Sequence, residues 1–257
     1  MSMQMPSVHN MTSHLHGRAM TVALLLLTSQ LMAARALACG VSGPDGVWSC
    51  SLEEHEESER LRWHVGGSGL YTSTRLRFTH GVRGDEERAA AVASATYAPT
   101  RRLTLQGSAG ATLDGQLRLP TGRYEISPGP LLALGAAWRV IDGPPFLIAT
   151  SLLSFSAVTT QLPGPTTHAV GYEAFDLRAG ALFGTTLLHV LSPYALARIF
   201  GGPVFWHHQG AAVTGTDLYH YQLGAGLALL IAERLDLFVE GSALGERALA
   251  GGAALAF

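Results

Sequence analysis

Four residues in the last quarter of the chain could do chemistry together: His207, His208, Asp217 and His220. Imidazoles and a carboxylate flanking one connection can relay a proton or hold a transition-metal ion. Asp85, Asp114 and His168 fall at other connections and could join them at a common rim. The plainer reading is that these are solvated loop residues. Neither G-x-S-x-G nor H-E-x-x-H occurs. No catalytic residue, metal ligand or cofactor is assigned on this basis, and the chain is expected not to be an enzyme.

The other reactive side chains are Cys39 and Cys50, in CGVSGPDGVWSC. Gly-Pro-Asp-Gly between them is a turn signal that would bring the ends together. Just ahead, Arg18 precedes the apolar stretch AMTVALLLL, and Ala36-Leu37-Ala38 follows. That order is a secretory signal over residues 1–38, cleaved after Ala38, with Met11 or Met20 as alternative starts. In an exported chain a close cysteine pair reads as a disulfide. A lipoprotein with acylated Cys39 is the rival, but the leucine of a lipobox would be displaced by one. The acidic run Ser51–Arg60 reads as a solvated linker. Cys39, Cys50, His55 and His64 match no zinc spacing.

These groups need a frame, and composition narrows it. The 257 residues are 47% hydrophobic and only 14% charged, with 30 glycines. All 17 basic residues are arginine. Loss of Arg18 and Arg35 with the signal leaves the mature chain near −4, 15 arginines against 19 carboxylates, which excludes a nucleic-acid binder's charge balance. After the signal there is no apolar run of about 18 residues, as a membrane helix would need.

From Leu70 the pattern has a period of two. Leu103, Leu105, Gly107, Ala109, Ala111 and Leu113 alternate with Arg102, Thr104, Gln106, Ser108, Gly110 and Thr112. Such alternation marks strands with two unlike faces. It predicts ten strands, with eight as the alternative: Leu70–Thr79, Ala89–Tyr97, Arg102–Leu113, Gly129–Val140, Phe146–Thr159, Tyr172–Thr186, Pro193–Trp206, Asp217–Ile231, Leu235–Leu244 and Arg247–Phe257. Short turns alternate with longer connections at His80–Arg88, Asp114–Pro128, Gln161–Gly171 and His207–Thr216. Pro203 within a strand calls for a bulge or a position without a ladder bond.

The polar faces are crowded with Gly, Ser, Thr and Ala, as suits the inside of a narrow barrel whose apolar face is outside. Arg75, Arg77, Gln106, Arg139, Asp176, Arg178, Arg198, Gln222, Asp236 and Glu240 are expected to line that interior. Tyr97, Trp138, Trp206, Tyr219 and Tyr221 lie near strand ends, where interfacial aromatic girdles belong. Each run suffices for a bilayer-spanning strand of about 9–11 residues.

With its signal peptide, alternating strands and terminal aromatic, the chain resembles the bacterial outer-membrane β-barrel proteins over about Leu70–Phe257. No subfamily motif accompanies the resemblance. It implies an all-β, antiparallel up-and-down barrel with short periplasmic turns and longer extracellular loops. Phe257, with Leu255 and Ala253 at alternate places before it, resembles the signal read by the barrel-assembly machinery. The implied domains are the signal (1–38), a periplasmic segment (39–68) able to meet a periplasmic partner, and the outer-membrane barrel (69–257), which meets membrane lipid and lipopolysaccharide. Ten-stranded barrels of this class include the omptin proteases, but no omptin-like motif is present. The expected role is structural or binding. The alternatives are a narrow pore for small solutes and a rim-located hydrolase or metal-binding barrel.

Overall fold

A computed structural model describes residues 62–164, 169–188, 190–208, 211–232 and 234–257. Cys39, Cys50, His168 and the signal and linker segments lie outside the described residues.

The described chain is all-β, with thirteen strands in one antiparallel sheet. In chain order they are β1 (Trp63–Phe78), β2 (Arg83–Tyr97), β3 (Leu103–Leu119), β4 (Gly122–Ile126), β5 (Gly129–Ile141), β6 (Pro145–Gln161), β7 (Val170–Thr185), β8 (Leu191–Gly201), β9 (Val204–His208), β10 (Ala211–Asp217), β11 (Tyr221–Ile231), β12 (Leu235–Gly245) and β13 (Arg247–Ala256). Three pairs of segments act as single bent staves: β4 with β5, β8 with β9, and β10 with β11. The ring therefore has ten staves, and it closes because β1 pairs with β13 from His64 to Ser73.

The ring does not keep ten staves throughout. The β12–β13 hairpin stops at Gly245–Glu246, and beyond it β10 pairs directly with β1, Leu76 opposite Asp217 and Phe78 opposite Gly215. That end of the ring runs β1-β2-β3-β4-β6-β7-β9-β10 and back to β1, eight staves. We call it the narrow end and the other the wide end. Gly245 makes the tight hairpin possible: its φ of +78° favours glycine, and a β-carbon there would lie 1.7 Å from the Tyr221 carbonyl oxygen.

Two details differ from the sequence expectation, and the break expected at Pro203 is present. β1 starts at Trp63 rather than Leu70. Three of the four longer connections, all but Gln161–Gly171, are largely strand where they are described: Asp114–Pro128, for instance, is the end of β3, a two-residue turn and β4. They extend because Leu117, Tyr124 and Ile126 bury themselves inside the narrow end. Pro203 falls in the break between β8 and β9, where its carbonyl still accepts from the Phe175 amide at 3.1 Å.

Between the wide-end rim and the level of Ser73, where Arg247 and Glu87 stand opposite it, the outward positions carry no charge. Large apolar side chains stand exposed there, among them Leu105, Leu134 (68% exposed), Leu177, Ile199, Leu227 and Leu249. Charges return on both sides of this band: Arg102 and Asp142 at the wide end, Arg75, Asp85, Arg118 and Glu87 at the narrow end. The band is about ten residues of tilted strand, or about 25 Å tall. Above it the polarity of the faces reverses. Leu76, Phe78, Leu117, Tyr124, Tyr172 and Trp206 form an apolar core inside an eight-stave collar whose outside is charged.

If the band meets lipid, Leu227→Arg at its mid-height is expected to cost about 2–4 kcal/mol of stability in bilayers. Ala212→Arg, outward on the collar, should stay within about 0.5 kcal/mol of wild type. Urea titration of the chain folded into vesicles measures both, and equal losses would contradict the band.

Candidate functional site

The charges that cannot face the band are gathered inside the ring at the level where ten staves become eight. Arg198 (β8) is almost fully buried and forks onto Glu240 (β12): Nη1 donates to Oε1 at 2.8 Å and Nη2 to Oε2 at 3.3 Å. The Tyr194 hydroxyl donates to Glu240 Oε2 at 3.1 Å, and Arg198 Nη1 also donates to Gln222 Oε1 at 3.2 Å. Gln222 Nε2 then donates to Ser242 Oγ at 3.0 Å. Tyr194 reaches Glu240 across β11 because Gly226 lies between them; a β-carbon at Gly226 would sit 2.0 Å from the Tyr194 hydroxyl oxygen.

A second fork lies beside the first. Arg178 (β7) donates from Nη1 and Nη2 to the two carboxylate oxygens of Glu246 at 2.8 and 3.1 Å. Its Nε donates to Asp176, and its guanidinium lies 4.9 Å from the centre of the Phe200 ring. Glu246 is the tip of the short hairpin, turned inward. On the far wall Arg88 Nε lies 3.1 Å from Glu86 Oε1, and its Nη1 donates to Ser156 Oγ at 3.2 Å. A cavity of about 60 Å³ lies against Arg88, Asp176, Arg178, Thr72 and Ser156. Its volume and the polar groups on its wall suit one or two water molecules. Above the belt Asp217 accepts from Thr74 Oγ1 at 2.9 Å.

Of the ten residues expected inside, Gln106, Arg139, Asp176, Arg178, Arg198, Gln222, Asp236 and Glu240 face inward. Gln106 donates to Ser108 Oγ at 2.8 Å, and Arg139 lies 3.6 Å from Asp142 at the wide end. Arg75 and Arg77 do not belong with them. They stand on the outside of the collar, Arg75 paired with Asp85 at 3.1 Å. Their strand keeps its period, but the apolar face has become the inner one. Three members of the inner network were missed in the sequence. Glu86 and Arg88 sat in an assumed loop. Glu246 sat in a turn, where only the glycine before it signals an inward reversal.

The aromatic positions divide in the same way. Trp138, Tyr219 and Tyr221 are exposed on the outer face. Tyr97 packs there against Trp63, ring centres 4.7 Å apart, and Trp63 was not anticipated. Trp206 is no girdle residue. It is buried in the collar core against Tyr124 and Phe78, and its Nε1 donates to Thr160 Oγ1 at 2.8 Å. At the chain's end Leu255 and Phe257 are exposed, Ala253 is half-buried on the same face, and Phe257 exchanges backbone hydrogen bonds with Trp63.

Among the described residues the rim side chains do not come together. Asp217 turns inward onto Thr74. His207 is exposed, and His220 packs its Nδ1 3.2 Å from the Phe200 carbonyl oxygen. His208 ends β9, while Asp85 and Asp114 are exposed on the outer face. Among the described residues no three His, Cys, Asp or Glu side chains converge as a metal site.

What this network does chemically is hold charge fixed in a space with little water. Truncating one partner leaves the other buried and unpaired, at a cost of about 3–5 kcal/mol. Arg198→Met and Glu240→Met should each destabilise by that order, and the double variant by much less than their sum. A double-mutant cycle in denaturant checks it; additive losses would mean that the two side chains do not act as a pair.

No protein-family model matches the chain, and no curated protein matches it. Solved structures similar to it include the translocator domain of the autotransporter NalP from Neisseria meningitidis, at 11% identity and a TM-score of 0.48, covering 80% of this chain and 91% of that one. The outer-membrane protease OmpT from Escherichia coli is similar at 10% identity and a TM-score of 0.48, covering 76% and 97%. The β-domain of the Bordetella autotransporter BrkA is similar at 13% identity and a TM-score of 0.47, covering 75% and 99%.

Proposed function

We infer that this protein is an integral outer-membrane barrel with a structural or binding role: a closed anchor that carries a rigid collar above the bilayer. The observation that supports this reading most is the inverted arrangement of charge. A band of the outer surface without charge is about as tall as a bilayer's hydrocarbon core, while Arg198–Glu240 and Arg178–Glu246 are paired inside. A soluble barrel has the opposite arrangement throughout; this chain has it only in the collar. Export through the N-terminal signal and insertion by the barrel-assembly machinery through Leu255 and Phe257 fit the same reading. So does a periplasmic position for residues 39–61, ahead of β1, with Cys39 and Cys50 disulfide-bonded and a partner docked there. The collar would then stand among lipopolysaccharide on the outer side.

A narrow pore is the competing role, and a rim hydrolase a weaker one. The filled collar and the paired belt below it argue for a closed barrel, and the inward turn of Asp217 argues against rim catalysis. Reconstituted in planar bilayers, the full mature chain is expected to show no single-channel conductance. Steady ohmic steps would transfer the assignment to the pore. Heat-shifted gel mobility in isolated outer membranes provides the location test.

A further inference from the structure

The outside of the collar carries arginine opposite arginine. Arg77 (β1) is the cross-strand partner of Arg83 (β2), and Arg118 (β3) is the partner of Arg123 (β4). Like charges directly opposite one another destabilise a sheet. Two nearby carboxylates have partners: Asp85 lies 3.1 Å from Arg75, and Glu87 lies 3.7 Å from Arg118, one of the facing arginines. Among the described residues Arg77, Arg83 and Arg123 have no carboxylate partner.

Arg77 also borders the step from ten staves to eight. On its other side β10 sets Thr216 opposite it. Together with the break at Gly202–Pro203 this leaves a depression of about 410 Å³, lined by Arg77, Thr79, Gly202, Pro203, Thr214 and Thr216. Guanidinium forks and threonine hydroxyls are the donors that recognise a phosphate. A phosphate monoester brings up to two charges and three terminal oxygens, enough for both facing arginines. A carboxylate would neutralise only one.

The height of the site narrows the source of that phosphate. It lies just above the uncharged band, at headgroup depth. We propose that Arg77 and Arg83, with Thr216, hold the phosphate of a lipid headgroup. This rests on the membrane-barrel reading.

The test uses the full mature chain folded into phosphatidylcholine nanodiscs doped with phosphatidic acid, with retained lipid counted by native mass spectrometry. One phosphatidic acid should stay with each barrel. Arg77→Gln/Arg83→Gln should weaken retention about tenfold, as expected for loss of a charge-assisted contact. Arg77→Lys/Arg83→Lys keeps the charge and should fall between. Arg102→Gln, at the opposite rim, should change nothing. Heat-shifted mobility reports folding of every variant. A folded wild-type barrel with no preference for phosphatidic acid, or equal retention by the double glutamine variant, would overturn the site alone. Displacement of the lipid by inorganic phosphate at equal concentration would assign the site to free phosphate and overturn the lipid. Failure of the wild-type chain to enter bilayers would overturn the membrane reading and the site with it.

Discussion

A strand in hydrocarbon cannot leave its backbone amides and carbonyls unpaired, so the sheet must close on itself. Everything else in this molecule follows from how β1 makes that closure. One side of β1 is paired with β2 over its whole length. The other side is divided between β13 near the wide end and β10 near the narrow end. The division is needed because the β12–β13 hairpin is shorter than its neighbours. Had the hairpin ended without β10 taking over, Leu76 to Phe78 would present an open edge.

The same short hairpin sets what fills the inside. An eight-stave ring has an interior that side chains alone can fill, and the collar is filled by Tyr172, Leu117, Trp206 and Phe78. A ten-stave ring is wider. Near the wide end Phe146, Tyr194, Leu196 and Phe238 occupy it. Between these apolar layers lies the charged belt, and the hairpin tip contributes Glu246 to it. Shortening the hairpin thus narrows the ring and also delivers the carboxylate that pairs Arg178. The absence of lysine fits this geometry, because both buried guanidiniums meet a carboxylate through two nitrogens, which an ammonium cannot do.

Much of this was legible in the sequence. Alternation identified the strands and their two faces, and the small residues Gly224, Gly226 and Ala228 marked the inner one. The residues placed wrongly share one physical cause. A period of two separates the faces of a strand but does not say which medium each one meets. On the membrane reading proposed above, lipid lies outside within the band, so polar means inside. Above it water lies outside, so Arg75 and Arg77 turn out and Leu76 and Phe78 turn in, with no interruption of the period. Trp206 was misplaced for the same reason. The apolar alternation of Leu117, Tyr124 and Ile126 went unread because Pro120 and Gly122 between them look like loop.

The reversal also explains why the two ends of the barrel differ in kind. A membrane barrel of this size has weak reasons to hold its strands above the bilayer, where lipid no longer drives the outer face. Here the extension is stabilised as a small soluble barrel would be, by an apolar core with Tyr124 edge-on to Trp206 at 5.0 Å and by charged pairs outside such as Arg75–Asp85. Exposed pairs of that type contribute little, so burial of the core must supply most of the collar's stability. A rigid collar fixes the spacing of whatever its outer surface carries. Long mobile loops could not hold two arginines in register across adjacent strands, whereas the β1–β2 and β3–β4 hairpins do so by their backbone ladders. The cost of placing those like charges together is borne by the collar core, which makes the core a condition for any ligand recognised on its outside.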